Sequence, residues 1–118
     1  MAYVDGFLMV VPTRKLAAYR RMAVKAGKIW KEYGALEYRE CVHDDLIQKS
    51  GTTFEKRVKA KKGEVVVFSW VVYTSRAHRD KILPKVMQDK RLASMNPKDV
   101  PFDMKRISYG GFKVLVDL

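Results

Sequence analysis

Apolar residues crowd one stretch of the chain above all. Val65 to Tyr73 reads Val-Val-Val-Phe-Ser-Trp-Val-Val-Tyr, with Ser69 its single small polar residue. A strand with one face in water alternates apolar and polar residues; this stretch does not, so both faces of the strand it predicts should be buried. Residues 3 to 11 predict an earlier strand, interrupted by Gly6, where a bulge or a close approach is expected, and stopped by Pro12. Residues 36 to 42 alternate and predict another strand, with Leu36, Tyr38, Glu40 and Val42 on one face. Residues 106 to 116 predict the last, and their Gly110-Gly111 pair points to a bulge.

The period changes between these strands. From 14 to 33, Leu16, Tyr19, Met22, Ala23, Ala26, Ile29, Trp30 and Tyr33 recur at spacings of three and four, the mark of an amphipathic helix. Thr13 is its expected N-cap and Gly34 its stop. Gly27 lies inside this helix, where glycine costs about 1 kcal/mol relative to alanine; a close approach to the sheet would explain it. Ser75 is an N-cap for a second helix from about Arg76 to Met87, which Pro84 should kink or divide. A further turn is expected over 89–95, and a short helix over 53–59 within the polar connection 43–63.

The order β-α-β-β-α-β predicts one α+β domain spanning residues 1–118. Its expected form is ferredoxin-like: a four-stranded antiparallel sheet with both helices on one face. The other face carries apolar side chains that a lone chain would leave in water. Sheet-to-sheet pairing of two copies, a homodimer in the form of a dimeric α/β barrel, is the expected remedy.

Composition adds charge to this picture. Twenty-four Lys and Arg against thirteen Asp and Glu leave +11, which attracts anionic partners without naming one. No apolar run reaches the roughly 18–20 residues of a membrane helix, and the first residues lack the pattern of a signal peptide. With Cys41 the one cysteine, an internal disulfide is excluded, and cytoplasmic residence is the expectation.

The motifs Tyr3-Val-Asp-Gly-Phe7, Tyr38-Arg-Glu-Cys-Val42 with Asp44-Asp45, Val67 to Tyr73 with Ser75 to Asp80, Pro101-Phe-Asp103 and Tyr109-Gly-Gly-Phe112 span nearly the whole chain. In this order they resemble the YbaA-like bacterial proteins of unknown function, themselves similar to the dimeric α/β-barrel superfamily. That superfamily includes cofactor-free monooxygenases, dehydratases, haem-degrading enzymes and ligand-binding regulators. The resemblance implies a ligand site between sheet and helices but selects no reaction.

Candidate chemistry rests on a few residues. Asp5 and Glu40 are acids within strands; in an apolar pocket either has a raised pKa and can act as a base. The plainer reading pairs each with an arginine or a strand-edge donor. His78, early in the second helix, is the candidate proton donor. Tyr38, Trp70, Tyr73 and Tyr109 are candidate pocket walls, as aromatics with polar handles. These residues point to a small-molecule site working without cofactor, in a monooxygenase-, isomerase- or dehydratase-like reaction if it is an enzyme. His43 lacks the spaced partners of a metal site, and no metal is expected. Ser69 lacks a nucleophile-elbow context. The alternative is a binding protein docking a polyanion such as RNA through Arg14, Arg21, Lys25 and Lys28 of the first helix and Lys56, Arg57, Lys59, Lys61 and Lys62. The basic-Gly-aromatic motif of ferredoxin-like RNA binders is absent, so nucleic acid is not the expected partner.

Overall fold

The computed structural model describes residues 1–47 and 49–118. Strand β1 (Tyr3–Pro12) leads through a short 3₁₀ turn, Thr13–Lys15, into α1 (Leu16–Glu32). Strand β2 (Glu37–Val42), the single-turn α2 (Phe54–Arg57) and β3 (Glu64–Tyr73) follow. Then come α3 (Arg76–Gln88), the short α4 (Lys90–Ala93) and β4 (Ser108–Lys113). The sheet order is β2-β3-β1-β4, and every neighbouring pair is antiparallel. This is the ferredoxin-like α+β arrangement.

Paired residues share a face of the sheet, because side chains alternate along each strand. Tyr38, Val71, Asp5 and Gly111 form one row on the helix-covered face; Glu40, Ser69, Phe7 and Tyr109 form the next. Two core clusters join this face to the helices. One packs Ala26, Ile29 and Trp30 of α1 and Ile82 and Val86 of α3 on Tyr3, Val71 and Tyr73. The other packs Tyr19 and Ala23 on Met9, Val11 and Val67.

Several local expectations hold. Gly34, at φ +112°, ends α1 in the left-handed region. There the Ala35 N–H reaches the Trp30 carbonyl and the Gly34 N–H the Lys31 carbonyl, the paired bonds of a Schellman cap. Ser75 caps α3 by accepting from the His78 N–H at 3.1 Å. At Gly27 an added Cβ would stand 2.7 Å from a ring carbon of Tyr38, so glycine here lets α1 approach β2. Thr53 caps α2.

Other expectations fail, each for a physical reason. Thr13 is no cap: the chain enters α1 through the 3₁₀ turn, and Pro12 and Lys15 sit at the N-cap positions without side-chain bonds. Pro84 does not divide α3, which runs as a single span because the proline lies within an otherwise hydrogen-bonded helix. No bulge interrupts β4, since Gly6 pairs with Gly110 and Asp5 with Gly111 in unbroken register. Gly111 instead makes room for the Tyr3 side chain, which a Cβ there would strike. Strand β4 stops at Lys113 rather than Val116. Within one chain β3 is better covered on its helix side, where Val67, Val71 and Tyr73 are buried, than on the other, where Val66 is buried but Phe68 is 46% exposed; the second layer expected there lies beyond a single chain.

Candidate functional site

A groove of about 890 Å³ lies between α1 and the edge strand β2. Its shape follows from the glycine contact just described: α1 lies low over Tyr38 and leaves a trough beside it. The apolar lining comes from Leu16, Ala23 and Val24 of α1 and from Val42 and Val67 of the sheet.

Glu40 sits in this trough. Its Oε1 accepts the Tyr19 hydroxyl at 2.6 Å, and its Oε2 accepts the Tyr38 hydroxyl at 2.6 Å. Helix and strand each supply one donor, which orients the carboxylate from two sides. Burial, then the nearby Glu40 charge and its hydrogen bond, push both phenols above the usual tyrosine range. Tyr19 and Tyr38 therefore remain neutral donors at physiological pH. An ionised carboxylate has about four lone-pair sites; with two used, the rest can meet a donor on a ligand.

The helix side of the groove is basic. Arg20, Lys28 and Lys31 line it, and none forms an ion pair among the described residues. Lys31 donates from Nζ to the Leu36 carbonyl at 2.8 Å, which holds the ammonium near the groove's end. Glu32 also lines the groove, but Arg91 occupies its carboxylate at 2.7 Å.

Of the acid, base and pocket residues expected from sequence, Glu40 and Tyr38 line this groove and the others do not. Asp5 is buried beneath α3 and paired with Arg79 at 2.6 Å, while the Arg79 guanidinium lies 4.9 Å from the Tyr3 ring centre. Burial raises the Asp5 pKa, and the Arg79 charge works in the opposite sense. Here the plainer reading of the acid, as half of a structural ion pair, describes the geometry. His78 is held at the start of α3: its Nδ1 accepts the Thr74 N–H at 3.1 Å, and its ring meets the edge of Tyr73. Tyr73 is fully buried, and its hydroxyl accepts the Trp30 indole N–H at 3.0 Å, so it is core and not a pocket wall. Burial pushes this phenol up as well.

Trp70 stands on the opposite face of the sheet from the helices, one residue out of phase with Val71, and donates to Glu37 at 2.9 Å. Tyr109 is 74% exposed on the far edge strand, stacked beside Phe7. Pleat and strand order separate these two aromatics from Glu40, and neither was assignable before the register was known. His43 spends its Nδ1 on the Val66 N–H at 2.8 Å. The sequence reading missed Tyr19 as a site residue. Its helical spacing marked it as core, and no local signal ties it to Glu40, 21 residues away.

The cations considered for polyanion docking, Arg14, Arg21, Lys25, Lys28, Lys56, Arg57, Lys59, Lys61 and Lys62, are all exposed. The Thr13 N–H donates to the Gly63 carbonyl at 2.8 Å, which sets Arg14 beside the Lys61-Lys62 turn.

On the sheet face opposite α1 and α3, Val4, Leu8, Phe68, Trp70, Val72 and Phe112 enclose a shallow apolar depression. Phe54 of α2 leans on Phe68 with ring centres 6.2 Å apart, while Phe112 stays 62% exposed.

Comparison with known proteins bears out the YbaA-like resemblance. A family model described as "Protein of unknown function (DUF1428)" matches residues 2–104. The Escherichia coli K12 protein described as "Uncharacterized protein YbaA" is 45% identical over 117 residues, covering 99% of both chains. The Shigella flexneri protein of that description matches to the same extent. Among solved structures, an uncharacterized NIPSNAP domain protein from Burkholderia xenovorans superposes with a TM-score of 0.55 at 16% identity, over 95% of this chain and 93% of that one. That likeness concerns the fold alone.

Proposed function

The chain belongs to the DUF1428 family of proteins of unknown function, and we propose that it binds a small molecule in the groove between α1 and β2. One observation carries this reading: Glu40 is held by two tyrosine hydroxyls in a trough whose apolar walls are Leu16, Ala23, Val24, Val42 and Val67. A ligand donor would meet the carboxylate lone pairs that the two tyrosines leave open. The volume also falls in the range of small-molecule sites, about 300–1,000 Å³. If the bound molecule reacts, Glu40 is the group placed to take its proton, with no cofactor required. The exposed cations of α1 then serve to draw anions toward the groove, a role that long-range attraction fills without specific docking.

Amide chemical-shift mapping with octanol as an apolar probe tests this. Shifts gathered on Ala23, Gly27, Tyr38 and Val42, and lost in Val24→Trp, are expected. Shifts absent from those residues would overturn the groove.

We also propose that the sheet face opposite α1 and α3 pairs with a second copy of this chain. Across its central rows the charged residues are Glu37 and Arg39, which lie 3.5 Å apart and offset each other. Two copies each carrying +11 can therefore meet on this face without setting cation against cation. Light scattering on the eluting protein should report twice the mass of 13.6 kDa. Phe68→Glu should reduce it to one chain, and a monomeric parent protein would sink the pairing.

A further inference from the structure

The groove is not electrically uniform, and the arrangement of its charges constrains what fits. Glu40 lies at the level of Tyr19 and Ala23, in the N-terminal half of α1. Lys28 and Lys31 line the trough farther along the helix, five and eight residues beyond Ala23 and nine and twelve beyond Tyr19, roughly 8–18 Å away at 1.5 Å of rise per residue. Between these poles the walls are apolar: Val24 and Gly27 on the helix, with the Tyr38 ring beneath.

From this polarity we infer that the ligand is a small organic anion with an apolar body and a neutral hydrogen-bond donor at its far end. The inference rests on the groove being a binding site. The acid group lies against Lys28 and Lys31, and the hydroxyl or amide N–H donates to a free lone pair of Glu40. Three features favour this over an ammonium ligand. Arg20, Lys28 and Lys31 all stand on the rim, without acidic partners among the described residues, so a cation entering the groove meets like charge. Glu32, the other acid in the lining, is already taken by both terminal nitrogens of Arg91. The two tyrosines, moreover, already satisfy one lone pair on each Glu40 oxygen, so a neutral donor completes the carboxylate without a counter-charge.

A matched series tests the class: ω-hydroxyoctanoate, octanoate, octanol and octylamine, titrated by calorimetry against the full chain. The hydroxy acid should bind at least about tenfold more tightly than octanol or octanoate, since each lacks one of the two polar contacts. Lys28→Glu, a change at an exposed position, should weaken the hydroxy acid by about tenfold and leave octanol unchanged. Octylamine binding as tightly as the hydroxy acid would overturn the anion assignment. So would indifference of the hydroxy acid to Lys28→Glu. In either case, binding of octanol that Val24→Trp abolishes would leave the groove itself standing. If no member of the series binds, both readings fall.

Discussion

Gly27→Ala offers a sharp test of how α1, β2 and the Glu40 site are joined. In an ordinary helix interior the change should stabilise, since alanine exceeds glycine by about 1 kcal/mol. Here the new methyl group would stand 2.7 and 2.8 Å from two ring carbons of Tyr38. Relaxed carbon contacts fall near 3.5–4.0 Å, so helix or ring must yield by about 1 Å. The ring is poorly placed to yield. Its hydroxyl is tied to Glu40 at 2.6 Å, and the ring is packed at a tilt against Trp30 with ring centres 5.6 Å apart. Overpacking of this kind costs about 1–3 kcal/mol. Loosening a hydrogen bond to a charged group adds to that, up to about 1.5–3 kcal/mol if it is lost. Set against the propensity gain, a net loss of about 1–3 kcal/mol is expected. Urea unfolding at neutral pH and fixed protein concentration measures it as a lower midpoint at unchanged slope. The control is Tyr38→Ala, which removes the obstacle; in that background Gly27→Ala should stabilise by about 1 kcal/mol. Stabilisation in the parent protein, or an equal effect in both backgrounds, would refute the close approach and the geometry of the groove with it.

Arg79→Met should cost about 3–5 kcal/mol by leaving Asp5 buried without its partner. Because burial raises the folded-state pKa of Asp5, its protonated form is the one folding favours. The deficit of the variant relative to the parent should therefore narrow as the pH falls through that raised value, and a pH-independent deficit would count against it. Glu64 behaves in the opposite sense: hydrogen bonds from Arg106, then from the Lys61 N–H, lower its pKa from 4.5 to about 2. Its contribution is present above 4.5 and disappears as the pH falls toward 2, so the stability gap between the parent and Glu64→Gln should close over that interval. Finally, alkaline titration followed by phenolate absorbance should leave Tyr19, Tyr38 and Tyr73 silent until the protein unfolds. Tyr19→Phe or Tyr38→Phe should therefore not reduce the signal that develops below about pH 11.

Periodicity along the chain determined much of this protein. The three-four spacing of Leu16 to Tyr33, the unbroken run Val65 to Tyr73, and the cap at Ser75 mark helix, strand and boundary, because local backbone preference and one-sided burial act over a few residues. Four strands and two long helices in that order admit few topologies, so the ferredoxin-like sheet was legible too. Gly27 announced a close approach but not its partner. Tertiary structure decided what depends on register and distance. A one-residue step along a strand moves a side chain to the other face, so Val71 joined the core while Trp70 was turned away from the groove. Asp5 and Glu40 looked alike as strand acids; one met Arg79, 74 residues away, and the other met Tyr19. Such meetings are set by how α1 and α3 lie across the sheet. No local pattern encodes them, since a hydrogen bond between distant segments leaves no periodic trace in either.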